Sequence, residues 1–246
     1  MNRTHHTMGT VVSLDLRCAV PDELVAQAFA VFDDADARFS PFRTDSELSR
    51  ISRGELDARE ASTDLAEVLA LADAFERASG GVFSVWRAGG LDANGLVKGW
   101  AAQRAADALT AGGATDFCLN AGGDVVTRGA PSPGAVWQVG LRDPARPEGL
   151  RGVVALGARA MATSGAYERG AHIVDGRSGE ASDHWSSITV IDTDLTVADV
   201  LATTVFAMGA AGPAWAHAEF GSSVIAAGRE GELTVTGPVT WAGSAG

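Results

Sequence analysis

Cysteine is scarce in this chain: Cys18 and Cys118 are the only two among 246 residues. They lie far apart and form no CxxC pair, so the sequence contains no cysteine-type zinc motif. Both occur in apolar, strand-like runs, which predicts buried free thiols. A chain of this length can bury a sufficient core without a disulfide or a structural metal.

Basic residues are also few, since 19 lysines and arginines face 31 aspartates and glutamates, giving a formal net charge of −12. An acidic surface repels a phosphate backbone, which predicts that nucleic acid is not a partner. A small anionic ligand is compatible with this charge, because a single local cation can bind it.

Long apolar runs are lacking as well. No run approaches the ~20 residues that a membrane-spanning helix needs, which predicts no membrane span. The polar start, Met1 to Thr10, has no apolar segment of the secretory type, so we expect a cytoplasmic protein. Export would require a leader that has been removed from this sequence. The composition, 46% apolar and 20% charged, is that of an ordinary globular protein.

The apolar pattern predicts a mixture of helices and strands. Alternating apolar and polar residues predict a half-buried strand over 8–17, and Asp64 with Glu67 resembles a capping box. Helices are predicted over 22–39, 64–79, 94–109, 195–208 and 213–219, with a short one after Ser46. Further strands are predicted at 82–86, 115–120, 125–128, 136–141, 152–156, 171–174, 186–192, 222–227 and 232–236. The two kinds neither alternate strictly nor separate into blocks, so we predict an α+β fold.

The segment DANGLVKGW, residues 92–100, places a carboxylate, two glycines and a lysine around a helix start. First-turn N–H groups and the helix dipole favour an anion there. Gly95 and Gly99 allow close backbone approach, and Lys98 supplies a point charge for a phosphate. The alternative is a capped amphipathic helix with a solvated lysine.

A sharp turn, NAGGD at residues 120–124, follows a predicted strand. Its glycine pair allows positive φ, and such turns can present N–H groups to a ligand. The alternative is a simple hairpin connection.

The segments ATSGAY, residues 162–167, and HIVD, residues 172–175, contain the elements of a Ser/His/Asp arrangement. That signal is weak because the GxSxG context is absent. His172 is a candidate general base or ligand contact, and a structural hydrogen-bonding role is the alternative.

Asp199 and Thr203 are separated by four residues in a predicted apolar helix, so they lie on one helical face. A carboxylate and a hydroxyl are hard oxygen donors of the kind that magnesium prefers. A carboxylate on a largely buried helix also needs a partner.

Taken together, these segments resemble the ApbE family, the FAD:protein FMN transferases, also described as flavin transferases or FAD pyrophosphatases. Eight motifs follow the family order: MGT at 8–10, SELS at 46–49, GVF at 81–83, DANGLVKGWA at 92–101, NAGGD at 120–124, ATSGAY at 162–167, HIVD at 172–175 and ADVLATTVFAMG at 198–209. Each motif is weak alone, and their order is specific. The resemblance implies a single ApbE-like domain over 1–246, with a T-fold-related α+β fold of mixed sheets and packed helices, and FAD in a cleft.

The resemblance also implies a reaction and the residues that carry it. FAD is the substrate, Mg²⁺ the cofactor, and a Ser or Thr hydroxyl of a target flavoprotein the acceptor of FMN, with AMP released. By motif position, Asp199, Thr203 and the backbone carbonyl of Gly95 would bind the metal, and His172 and Asp199 would be catalytic. The residues expected to contact FAD are Met8, Phe42, Val82, Phe83, Ser84, Asp92, Lys98 and Ile173.

Several positions depart from the family pattern. Phe42 stands where tyrosine is usual, so a hydroxyl contact is lost while stacking remains available. Ser84 stands where aspartate is common, and the stretch from there to Asp92 is short. Asp175 is followed by glycine instead of proline. Ala202 stands where some members carry a further acidic metal ligand, which bears on metal affinity.

Two other outcomes share the same motifs. One is FAD hydrolysis to FMN and AMP with water as the acceptor, and the other is FAD binding without turnover. A plain structural protein would bind no FAD at all. The motifs predict neither the target protein nor the oligomeric state.

Overall fold

Six α-helices lie in the part of the chain that the computed structural model describes, which is residues 1–87, 90–143, 146–165 and 173–243. They are α1 Asp22–Phe39, α2 Glu47–Ser52, α3 Thr63–Ala78, α4 Asn94–Ala111, α5 Leu195–Met208 and α6 Gly212–Phe220. Two short 3-10 turns occupy Ala58–Glu60 and Gly209–Ala211.

The strands form three antiparallel sheets within these described ranges. In chain order they are β1 Asn2–Thr7, β2 Thr10–Leu16, β3 Trp86–Arg87, β4 Gly90–Leu91, β5 Phe117–Ala121, β6 Asp124–Arg128, β7 Gln138–Asp143, β8 Arg146–Ala155, β9 Ala160–Gly165, β10 Trp185–Asp192, β11 Ser223–Gly228, β12 Leu233–Thr236 and β13 Trp241–Gly243. The main sheet has the order β1-β2-β5-β6-β9-β10-β11-β12. A smaller sheet has the order β13-β8-β7, and β3 pairs with β4. The predicted α+β class is confirmed.

Helix α5 occupies the centre of the structure. It packs against α4 on one side and against β9 and β10 of the main sheet on the other. Its apolar side chains, among them Val200, Leu201 and Val205, are buried all round the helix. A helix that is apolar on every face is buried. A polar side chain on α5 therefore lies inside the fold and needs a partner there.

Contrary to the expectation that no run approaches this length, the segment Leu195–Phe220 is long and apolar enough to cross a membrane by length and composition alone. In this fold 61% of the most apolar stretch of this segment is buried inside the protein, where α5 packs against α4 and the main sheet. The same apolar character is what a central core helix requires.

The main sheet contains two strands that the sequence pattern did not predict. β1 pairs with β2 in a hairpin whose turn is Met8-Gly9, with φ of 50° and 67°. Positive φ at both central residues defines the type I′ turn that suits a two-residue hairpin. β9 lies between β6 and β10 and is buried on both faces. Small residues buried on both faces give no period-two pattern, so β9 was missed.

Other predicted elements differ in detail. The 82–86 segment is not a strand, and pairing begins only at Trp86. Helix α3 is capped by Ser62, which accepts from the Leu65 N–H, so the predicted capping box at Asp64 is wrong. In the predicted strand over 171–174, Val174 forms an isolated bridge with Ala181, and 171–172 lie outside the described residues.

Candidate functional site

The start of α4 forms one side of the candidate site. Asp92 lies just before the helix, and its Oδ1 accepts the Asn94 N–H at 3.0 Å. This contact fixes the first turn of α4, which begins at Asn94 as predicted. Gly95 therefore lies in that first turn, where backbone N–H groups favour negative charge.

Lys98 extends from the next turn of α4 to two carboxylates from distant parts of the chain. Its Nζ lies 3.3 Å from Oδ2 of Asp199 on α5, and it also forms an ion pair with Oδ2 of Asp124 at the start of β6. The Lys98 side chain is partly exposed, whereas both carboxylates are buried. One ammonium thus joins a helix and the main sheet beside an open surface.

Gly99 allows α4 and α5 to approach closely at this point. Its N–H donates to Oδ2 of Asp199 at 2.9 Å. A Cβ at Gly99 would lie 2.7 Å from Cβ of Asp199 and 2.7 Å from the carbonyl oxygen of Leu195. These distances are shorter than any real Cβ contact, so the helix pair requires glycine here.

Asp199 is 6% exposed. Burial raises the pKa of its carboxyl above the ordinary value, and the Lys98 ammonium and the Gly99 N–H act in the opposite direction. A buried carboxylate with these two partners is set up to interact with positive charge.

Thr203 lies one turn further along α5, on the same face as Asp199. Its Oγ1 is 3.2 Å from Oγ of Ser164 on β9. A Cβ at Gly95 would lie 3.8 Å from Oγ1 of Thr203, so the first turn of α4 is close by. The structure therefore brings together the three residues that the sequence predicts as metal ligands.

The donor set at this point fits a hard divalent cation. Asp199 offers a carboxylate, Thr203 and Ser164 offer hydroxyls, and the first turn of α4 brings the backbone of Gly95 alongside. Magnesium binds oxygen ligands and usually keeps several positions for water and substrate phosphate. Across the described ranges, no three acidic, histidine or cysteine side chains cluster as a metal site. A magnesium site here would therefore have few protein ligands and would leave coordination positions for phosphate oxygens.

Asp124 is the functional candidate that sequence reasoning missed. It is 2% exposed, and its Oδ1 accepts the Thr163 N–H at 3.0 Å. Among the described residues its Oδ2 has no hydrogen bond, and Lys98 is its ion-pair partner. The available signal was a carboxylate placed directly after the Gly122-Gly123 turn at the start of a buried strand. The sequence left that turn open between a ligand-presenting turn and a hairpin connection, and in the fold it connects β5 to β6.

The segment 82–84 brings the predicted flavin contacts Val82, Phe83 and Ser84 next to α4. All three are buried, and the Phe83 ring lies 3.6 Å from where a Cβ of Gly95 would be. The Ser84 hydroxyl lies 3.3 Å from Oε2 of Glu76 on α3 and accepts a backbone N–H two residues on. Ser84 therefore serves to fix this segment on α3.

The segment beginning at Ile173 packs on the 82–84 segment. The Gly176 N–H donates to the carbonyl of Val82 at 2.8 Å. A Cβ at Gly176 would lie 2.5 Å from the carbonyl oxygen of Gly81, so glycine is required for this approach. Ile173 is buried in the main core. The close contact with Gly81 thus explains why a glycine, Gly176, follows Asp175. His172 lies outside the described residues, and its predicted role stays a prediction.

Met8 and Phe42 lie on loops. Met8, at φ 50°, adopts a left-handed backbone conformation that non-glycine residues rarely take, and it packs against the main core. Its hairpin joins the 120–124 turn through the Gly122 N–H, which donates to the carbonyl of Val11 at 3.1 Å. Phe42 is 85% exposed between α1 and α2, so its ring is not packed into the site.

Two cavities, of about 140 and 240 Å³, lie elsewhere on the surface. Trp100 and Arg104 of α4 line both of them. Trp100 and Arg104 are two and six residues from Lys98, which corresponds to rotations of roughly 200° and 240° around the helix, so both point away from Lys98. Neither cavity is lined by a predicted site residue, so α4 separates both from the Lys98 cluster.

The architecture is that of solved flavin transferases. The flavin transferase ApbE from Vibrio cholerae superposes with a TM-score of 0.82 at 20% identity, covering 98% of this chain and 96% of that one. The ApbE protein from Thermotoga maritima gives 0.82 at 21% identity, covering 95% and 96%. At these identities the likeness shows the fold.

Curated relatives and a family model agree with this fold. A FAD:protein FMN transferase from Klebsiella pneumoniae is 34% identical over 129 residues, and one from Vibrio cholerae is 29% identical over 129. Each match covers 48% of this chain and 39% of the relative. The ApbE family model matches residues 8–89 and 86–225. The chain therefore belongs to the ApbE family, as the ordered motifs predict.

Proposed function

We propose that this protein is a magnesium-dependent enzyme that transfers the FMN half of FAD to a Ser or Thr hydroxyl of a target flavoprotein and releases AMP. The observation that carries the proposal is the meeting of Gly95, Lys98, Asp199 and Thr203 around one place between α4 and α5. The names of the curated relatives support the same reaction.

The reaction breaks the phosphoanhydride bond of the FAD pyrophosphate and forms a phosphoester bond to the acceptor. The acceptor oxygen attacks the phosphorus on the FMN side of the pyrophosphate, and a new P–O bond forms. The P–O bond to the AMP phosphate breaks, and AMP leaves with the electron pair. The hydroxyl proton passes to a base, since a neutral hydroxyl is a weak nucleophile. By motif position His172 is a candidate for this base, and a positioning role is the alternative.

Asp199, Thr203 and the Gly95 carbonyl would hold the magnesium ion. A bound divalent cation neutralises phosphate charge that would otherwise repel the nucleophile. Ala202, buried on α5, contributes no side-chain oxygen, and the Ser164 hydroxyl beside Thr203 is an additional oxygen donor. With the Ser164 hydroxyl in place of the acidic ligand that some family members carry at position 202, the metal would bind more weakly, and the site would remain.

Lys98 and the start of α4 would bind the pyrophosphate. The Lys98 ammonium is held in place by carboxylates on two sides and is partly exposed, so a phosphate can reach it. The N–H groups of the first turn add partial positive charge. Donors that are fixed before the substrate arrives stabilise developing charge effectively.

The flavin ring would lie along the 82–84 segment and Ile173. Val82, Phe83 and Ile173 are buried apolar residues, and the Phe83 ring lies next to Gly95 of α4. Phe42, exposed on its loop, would cover the ring from the other side by stacking.

The test is incubation of the purified protein with FAD, Mg²⁺ and a candidate acceptor flavoprotein. Transfer predicts a covalent FMN on a Ser or Thr of the acceptor, detected by intact-protein mass spectrometry, together with AMP detected by chromatography. FMN and AMP formed equally with and without the acceptor would show hydrolysis instead. Intact FAD after long incubation would show binding without turnover.

A further inference from the structure

Lys98 stands between two buried carboxylates that carry more negative charge than it can neutralise. It forms ion pairs with Asp124 and Asp199, and of the two it lies nearer to Asp124. Asp199 keeps the Gly99 N–H as a second partner. The cluster as a whole therefore has one negative charge in excess, at a place where a cation is proposed to bind.

Asp124 is rigidly placed for its contact with Lys98. Asp124 is the first residue of β6, in the middle of the main sheet, and its Oδ1 accepts the Thr163 N–H from the neighbouring strand β9. Its Oδ2 then points to Lys98. The carboxylate is buried, so water does not weaken the pairing.

We propose that Asp124 is a positioning residue: it shares the Lys98 ammonium with Asp199, so that Lys98 does not fully neutralise Asp199 and this carboxylate can bind a divalent cation. The inference rests on the proposed function, because it requires that Asp199 binds Mg²⁺. Asp124 acts through Lys98 and does not touch the metal.

Replacing Asp124 with asparagine changes the charge and leaves the shape. Oδ1 of the asparagine can still accept the Thr163 N–H. The neutral amide group then replaces the charged oxygen that pairs with Lys98. The remaining anion within reach of the ammonium is Asp199, 3.3 Å away. Lysine would then compete with the cation for that carboxylate.

The experiment measures Mg²⁺ binding by titration calorimetry without FAD, on the native protein, Asp124→Asn, Lys98→Met and the double variant. We expect Asp124→Asn to weaken Mg²⁺ binding by about 10- to 100-fold, as loss of an outer-shell partner does. Lys98→Met alone should tighten Mg²⁺ binding by less than about tenfold, because Asp124 already takes part of the Lys98 charge in the native protein. In the double variant the affinity should return to near the native value.

A matched control is Asp143→Asn, which alters another buried aspartate with ion pairs to Arg146 and Arg151, in the smaller sheet. It should leave Mg²⁺ affinity unchanged even if it lowers the unfolding temperature. Native-like Mg²⁺ affinity in Asp124→Asn would overturn the inference. So would a double variant as weak as Asp124→Asn, since Asp124 would then act on the metal directly.

Lys98→Met keeps the inference testable if Asp124→Asn does not fold. Tighter Mg²⁺ binding by tenfold or more in that variant would mean that Lys98 competes for Asp199 despite Asp124, which contradicts the inference. A native protein that binds no Mg²⁺ would instead contradict the metal dependence in the proposed function.

Discussion

Gly99→Ala tests the close approach of α4 and α5 on which the site depends. The added Cβ would lie 2.7 Å from Cβ of Asp199 and 3.0 Å from its Oδ2, so the two helices must separate. Overpacking of this kind costs about 1–3 kcal/mol, and alanine returns about 1 kcal/mol through its better helix propensity. Loss of the Gly99 N–H bond to the buried carboxylate adds about 1.5–3 kcal/mol. We expect a net loss of about 1.5–5 kcal/mol in the free energy of unfolding.

Urea unfolding followed by circular dichroism measures this loss. With a slope of about 2 kcal/mol per molar urea, the midpoint should fall by roughly 0.8–2.5 M. Gly95→Ala is the matched control on the same helix, because its added Cβ would meet neighbours only at 3.6 Å or more. That variant should be as stable as the native protein or slightly more stable. Equal midpoints for the two variants would refute the reasoning about helix approach.

Two further predictions concern Phe42 and Cys118. Phe42→Ala should change the unfolding free energy by less than about 0.5 kcal/mol, because the ring is exposed. The same variant should be stabilised less by FAD in a thermal-shift titration. An unchanged response to FAD would contradict the proposed stacking. Burial raises the pKa of Cys118 from 9.0 to about 11, so the thiol stays protonated in the folded protein after it ionises in the unfolded one. Stability should therefore fall by up to about 2–3 kcal/mol as the pH rises from 9 to 11, and Cys118→Ser should reduce that slope; an equal slope in both proteins would contradict it.

The helical part of the site was predictable because its signals are local. The separation of Asp199 and Thr203 by four residues places both on one face of a helix, and the apolar residues around them predicted that helix correctly. The predicted start of α4 at Asn94 is also confirmed. These features require no knowledge of the sheet.

The sheet part of the site was not predictable in the same way. Asp124 meets Lys98 only because β6 lies beside β9 and beneath the helices, and strand order leaves no trace in the local pattern. The buried strand β9, which carries Ser164, has small and hydroxyl side chains without alternation. The edge strand β1 is polar along both faces, so it has no apolar positions that could form an alternating pattern. Phe42 was assigned by family position, and its exposure could not be read from sequence.

The central claim is that Asp199 supports metal-dependent transfer of FMN. The most direct measurement is mass spectrometry of an acceptor flavoprotein after incubation with FAD and Mg²⁺ and either Asp199→Asn or the control Asp143→Asn. Both variants must first show native-like circular dichroism. The account predicts that the control adds FMN to a Ser or Thr of the acceptor and that Asp199→Asn adds none at any Mg²⁺ concentration. Transfer by Asp199→Asn at the rate of the native protein would contradict the account.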